Sequence, residues 1–221
     1  MKEDFRRPVA LVSVMNRLPN LITGLRLALA LFTFFALAGA AVLGDRLTPE
    51  SQFSLERWAF WAFVVAALTD FVDGWLARRL HAETVWGAIL DPIADKVLVC
   101  GVVLGLLSLG PNAAVAIPAA LILFREFTVS ALREVAAGKG VSLPVTLLAK
   151  WKTTLQLLAL GAELLVACWS AFSLPNDPEI LGPAAVGAHA LLWVAALVTL
   201  VTGAQYWEQA RRALSGPVVK S

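Results

Sequence analysis

Residues 70–95 read DFVDGWLARRLHAETVWGAILDPIAD, which puts Asp70, Asp73, Asp91 and Asp95 inside an otherwise strongly apolar chain. Hydrophobic residues fill 59% of its 221 positions and charged residues 15%, and mean hydropathy is +0.75, outside the usage of soluble globular proteins. An ionised carboxylate at membrane depth is costly unless it is paired or bound to a metal. Four aspartates in one short stretch therefore require a compensating partner.

The apolar runs on either side are near the length, roughly 20 residues, that crosses a hydrocarbon core as a helix, and they lack the alternation of membrane strands. Spans are predicted at about 21–43, 58–78, 91–109, 113–133, 151–172 and 183–207, separated by GDRLTPESQ, SLGPN, GKG and SLPNDPE. The expected fold is an all-α integral membrane protein of six transmembrane helices. Residues 1–20 form a cytoplasmic interfacial segment, and 1–221 make one membrane domain.

Of 18 Lys and Arg residues, only Arg46 and Arg57 fall on the side away from the termini. The positive-inside rule then places both termini in the cytoplasm, while Asp45, Glu50, Glu56, Asp177 and Glu179 face outward. A cleavable signal is a poor reading of the first span, since its basic leader would be too long and would hold Glu3, Asp4 and Arg26. Cys100 and Cys168 carry no metal or disulfide signal. His81 and His189 read as packing or interfacial residues, and Trp58, Trp151 and Trp207 as anchors at span ends.

Asp70 and Asp73 are three apart near the end of the second span, and Asp91 and Asp95 four apart at the start of the third, so each pair shares a helical face. The short connection suggests an antiparallel hairpin with Asp73 level with Asp91 and Asp70 with Asp95. Converging carboxylates call for hard divalent cations, Mg²⁺ first, and two ions are plausible. Gly74, Ala77 and Gly87 remove bulk around the acids, and Arg78 is placed to meet an anion, so metal plus arginine implies phosphate.

The pattern Asp70-x2-Asp73-Gly74-x2-Ala77-Arg78-x8-Gly87-x3-Asp91-x3-Asp95 resembles, without departure, the signature of the CDP-alcohol phosphotransferase family, whose six-helix membrane fold agrees with the span count. NRLPNLITGLR at 16–26, LFREFTVSALREVAAGKG at 123–140 and LAKWKTTLQ at 148–156 narrow the resemblance to bacterial members with glycerol 3-phosphate as acceptor. It covers about residues 16–160. Leu31 stands where such members often have proline and Ala149 where glycine is common, departures that touch helix shape more than chemistry.

The resemblance implies transfer of a phosphatidyl group from CDP-diacylglycerol to sn-glycerol 3-phosphate, with release of CMP, in a bacterial cytoplasmic membrane with the active site on the cytoplasmic side. Asp70, Asp73 and Asp91, with Asp95, would hold Mg²⁺ or Mn²⁺. Gly74, Ala77, Arg78 and Gly87 would cradle the CDP moiety, with Asn20 and Thr23 closing over it. Asp95 would be the general base. The resemblance also implies a homodimer, and no nucleic-acid partner is expected.

A second anion needs its own cations, and Arg125, Arg133 and Lys152 are the candidates for the acceptor phosphate, against a reading in which they only obey topology. Arg125 lies within an apolar run and needs a partner, with Glu126 and Glu134 nearby. Glu163 shares a face with Lys152 and Gln156 and reads as a structural hydrogen-bonding or subunit-contact residue. The rivals are a related enzyme using serine or inositol phosphate, a prenyltransferase with Asp-rich motifs, and a divalent-cation transporter, which would not require Ala77-Arg78 or Gly87.

Overall fold

The computed structural model describes residues 9–80, 85–141 and 147–215, with the side chains of 9–19, 71–80, 85, 86, 88, 147–150 and 215 outside the described set. Among the described residues there is no strand. Six α-helices follow one another among them: α1 Val9–Val42, α2 Pro49–Leu80, α3 Val85–Leu109, α4 Ala113–Gly138, α5 Leu147–Ala167 and α6 Pro178–Ser215.

Four segments, Asn20–Val42, Ile89–Leu109, Ala113–Gly138 and Pro178–Leu214, are long and apolar enough to cross a membrane. They belong to α1, α3, α4 and α6. α2, which carries Glu50, Glu56, Arg57 and Asp70, is not among them, and the described side chains of α5 run only from Trp151 to Ala167, so the expected fifth span lies partly outside the described residues. Among the described residues the chain therefore has apolar helices for a multi-pass membrane protein, four by this measure.

Most helices run past the expected span bounds, α2 beginning at Pro49 against 58 and α6 covering Pro178–Ser215 against 183–207. Residues 9–20 of the expected interfacial segment are helical and belong to α1. The fifth helix ends at Ala167, and a 3₁₀ turn, Trp169–Phe172, stops on Ser173 in the left-handed region at φ 54°. At the start of α4, Asn112 accepts from the Ala114 N–H at 2.9 Å, an N-cap for donors the helix leaves open.

The helices fall into two compact units, Met1–Leu109 and Gly110–Ser221. In the first, α1 packs along both α2 and α3, which touch each other far less. Among the described residues α1 is the common partner, and the turn of the expected α2–α3 hairpin lies outside them. Small residues are the cause. Gly101 faces the Ala30 carbonyl, and a Cβ on Gly105 would come within 2.6 Å of Leu37 Cδ1, so only glycine lets α3 approach α1 this closely. On the other side, Thr33 Oγ1 reaches the Ala59 carbonyl of α2 at 3.3 Å. The register ascends between α1 and α3 and descends between α1 and α2, so neighbours in sequence alternate in direction.

In the second unit the common partner is α6, which packs along α4 and α5. His189 of α6 fastens one end of this trio: its Nδ1 stands 2.8 Å from Glu163 Oε1 of α5, and its Nε2 3.3 Å from Asn112 Nδ2 at the start of α4. The Asn112 oxygen is committed to the Ala114 N–H, so the amide presents its NH₂ to the ring. A neutral His189 satisfies both neighbours with its proton on Nδ1, donated to Glu163.

Candidate active site

In the first unit, one face of α1 meets the acids. Thr23 Oγ1 donates to Asp91 Oδ1 at 2.6 Å, and Arg26 Nη1, one turn on, donates to Asp95 Oδ1 at 2.7 Å and stands 2.8 Å from Asp70 Oδ1. Asp70 near the end of α2 and Asp95 near the start of α3 thus converge on a single nitrogen. The level pairing of these two acids expected from sequence is present, with α1 supplying the atom between them.

The burial is asymmetric. The Arg26 side chain is 2% exposed and that of Asp95 50%, so one Asp95 oxygen is anchored while much of the carboxylate stays open. Arg26 closes the NRLPNLITGLR motif, whose spacing alone does not fix its role. The helical period shows that it shares a face with Thr23, not that its acids lie on other helices.

Asn20 sits on α1 just before Thr23 and is half-buried, and Gly87 is buried in α3 one turn before Asp91. Asp73, Gly74, Ala77 and Arg78 belong to the helical backbone of α2, but their side chains lie outside the described residues. Among the described residues no three His, Cys, Asp or Glu side chains gather closely enough to share a metal ion. Two of the acids, Asp70 and Asp95, already aim at one positive centre, the Arg26 guanidinium.

The second unit holds the other expected residues. Arg125 Nη1 donates to Glu126 Oε1 at 3.2 Å and Nη2 to Thr202 Oγ1 at 3.1 Å. Lys152 Nζ donates to the same Glu126 oxygen, which also accepts from Gln156 Nε2 at 3.3 Å. Gln156 continues to Thr199 Oγ1 at 2.7 Å, and Arg133 Nη2 reaches the Tyr206 hydroxyl at 2.6 Å. Gly203 makes room for Arg125, whose Cγ would stand 2.8 Å from a Cβ there.

This cluster carries more positive than negative charge. Arg125 and Lys152 are buried yet share the Glu126 carboxylate, and Arg125 Nε is buried without a hydrogen-bond partner among the described residues. A buried cation surplus of this kind is suited to an anion with two charges. Thr199, Thr202 and Tyr206 were missed from sequence. The single tyrosine of the chain was a signal, but nothing local ties α6 to Arg133.

A family model described as CDP-alcohol phosphatidyltransferase matches residues 16–202 and so covers helices of both units. A protein of Cereibacter sphaeroides named CDP-diacylglycerol--glycerol-3-phosphate 3-phosphatidyltransferase is 36% identical over 89% of this chain and 95% of its own length. A Bacillus subtilis protein of the same name is 36% identical over 90% and 98%, and one from Rickettsia bellii 42% over 68% and 77%.

Proposed function

Because the chain belongs to the CDP-alcohol phosphatidyltransferase family, we propose that it transfers the phosphatidyl group of CDP-diacylglycerol to sn-glycerol 3-phosphate, giving phosphatidylglycerophosphate and CMP. The observation that carries this reading is the end-to-end likeness to relatives bearing that activity in their name, at 36% identity over nearly the whole of both chains.

Asp70, Asp73, Asp91 and Asp95 are the residues to hold Mg²⁺ or Mn²⁺, in one or two ions. A divalent cation there would neutralise the diphosphate and the charge developing on CMP as it leaves. Gly74, Ala77, Arg78 and Gly87, with Asn20 and Thr23, receive the CDP moiety. Thr23 also holds Asp91 by its hydroxyl.

Asp95 acts as general base: its open carboxylate face takes the proton of the glycerol C1 hydroxyl as that oxygen attacks the phosphorus bearing the diacylglycerol. The new P–O bond forms as the P–O bond to CMP breaks. Arg125, Arg133 and Lys152 bind the acceptor phosphate, a role supported by the cation surplus around Glu126 and the unpartnered Arg125 Nε.

The setting is a multi-pass protein of the bacterial cytoplasmic membrane. The proposed topology has six spans in one membrane domain, termini and active site facing the cytoplasm, and the working form is a homodimer. The distribution of Lys and Arg supports the orientation.

An acceptor screen tests the activity. Purified protein with CDP-diacylglycerol and Mg²⁺ is offered glycerol 3-phosphate, serine, inositol phosphate or a lipid acceptor, and CMP is measured. Release should require glycerol 3-phosphate and a divalent cation. Release with serine or inositol phosphate instead would assign another acceptor, and cation uptake into proteoliposomes without any CMP release would mark a transporter.

A further inference from the structure

We propose that Arg26 is the resident counter-cation of the carboxylate cage, and that a divalent cation enters by exchange against its guanidinium. The inference rests on the reading of Asp70 and Asp95 as metal ligands and concerns what holds them before metal arrives.

The geometry is specific. A single Arg26 nitrogen stands 2.8 Å from Asp70 Oδ1 and 2.7 Å from Asp95 Oδ1, so two acids from α2 and α3 are held together by a charge from α1. Arg26 is only 1% exposed. A guanidinium does not give up its proton at any ordinary pH, so a buried one must keep anionic company, and these two carboxylates supply it. The arrangement answers both sides of one problem: the acids escape mutual repulsion, and the arginine escapes burial as a lone charge.

The oxygens that accept from Arg26 are those a hard cation would take. Mg²⁺ sits about 2.0–2.1 Å from its oxygen ligands, inside the space the shared nitrogen now fills, so guanidinium and ion compete for one position. Charge favours the ion, because one guanidinium cannot neutralise two carboxylates whereas one divalent cation can. The exposed half of Asp95 gives the ion an approach while Arg26 still holds the other side. Competition lowers the apparent metal affinity and keeps the metal-free cage from springing apart.

Thermal unfolding of the detergent-purified full chain, in chelator and across a MgCl₂ series, tests this with wild type, Arg26→Gln and Arg26→Lys. Arg26→Gln should unfold below wild type in chelator, and saturating Mg²⁺ should close most of that gap. Its half-maximal Mg²⁺ concentration should be at least tenfold lower than wild type, with Arg26→Lys between the two. Equal half-maximal concentrations, with the gap undiminished at saturation, would overturn the exchange while leaving the metal reading intact. If Mg²⁺ moves neither wild type nor Arg26→Gln, the metal reading fails and the exchange falls with it. Should Arg26→Gln fold in neither condition, Arg26→Lys decides: a lower half-maximal Mg²⁺ concentration supports exchange, and an unchanged one refutes it.

Discussion

Arg133 of α4 donates to the Tyr206 hydroxyl of α6 at 2.6 Å, and its guanidinium carbon lies 4.7 Å from the centre of the same ring. Tyr206 is 1% exposed and so acts as a fixed post for a partly exposed arginine. Tyr206→Phe keeps the ring and removes the post. KM for glycerol 3-phosphate should rise about tenfold, on the order of 1.4 kcal/mol, with KM for CDP-diacylglycerol little changed. Steady-state kinetics with each substrate varied in turn checks this, and unchanged values for both would remove Arg133 from the acceptor site.

Glu126 is the carboxylate shared by Arg125 and Lys152. Glu126→Gln leaves two buried cations facing each other, and because Glu126 is itself partly exposed the loss should be about 2 kcal/mol, below the usual cost for a wholly buried pair. Melting in detergent should show that loss. Glycerol 3-phosphate should then restore more stability to the variant than to wild type, whereas equal stabilisation would argue against an anion site here.

Asp95 and Asp70 differ in exposure and should differ in role. Asp95→Asn should cut turnover by roughly 10²- to 10⁴-fold while CDP-diacylglycerol still binds. Asp70→Asn should weaken metal-dependent nucleotide binding as well as turnover. A binding titration run beside the rate separates the two, and near-normal turnover in Asp95→Asn would end its candidacy as the base.

The close approach of α1 and α3 depends on Gly105. In Gly105→Ala the new Cβ would stand 2.6 Å from Leu37 Cδ1 and 3.1 Å from Leu37 Cβ, and Leu37 is fully buried. Overpacking should cost about 1–3 kcal/mol, and the second substitution Leu37→Ala should recover part of it. Thermal shifts of the single and double variants measure the recovery, and a double variant no better than the sum of its parts would place the strain elsewhere.

Near the start of α2, burial pushes the Glu56 carboxyl above its ordinary value of 4.5, opposed by a hydrogen bond from Gln52. A raised folded-state value means that folding favours the protonated acid. Its contribution is therefore fully present below about pH 4.5 and is lost as pH rises through the higher folded value. Glu56→Gln should raise the melting temperature at neutral pH and flatten its fall from acid to neutral conditions. An identical pH profile in the variant would show that Glu56 does not report its burial in stability.

The legible parts of this fold were those set by local spacing. Asp70, Asp91 and Asp95 could be assigned to helix faces because three- and four-residue offsets fix a face without tertiary information. The cation shared by Asp70 and Asp95 could not, since Arg26 lies 69 residues before Asp95 and helical periodicity does not say which helix a face meets. The short α2–α3 connection suggested direct packing. Gly101 and Gly105 also admit α1 against α3, a preference written in residue size rather than in loop length. Glu163 was legible as a structural partner by its place on the Lys152–Gln156 face, but the identity of that partner, His189, was not.

The length of α1 carries a consequence for depth. At 1.5 Å per residue, Arg26 lies about 24 Å from the Val42 end of α1, and Asp91 and Asp95 about 27 and 21 Å from the Leu109 end of α3. Were those ends to lie at one face of a hydrocarbon core about 30 Å thick, Asp91 would stand near the opposite face, with Arg26 and Asp95 between that face and the midplane. A lipid whose chains stay among other lipids presents its phosphates at that level. The bilayer itself would then act as a ruler, bringing the bond to be broken to the height of the acids without lifting the substrate out of its leaflet.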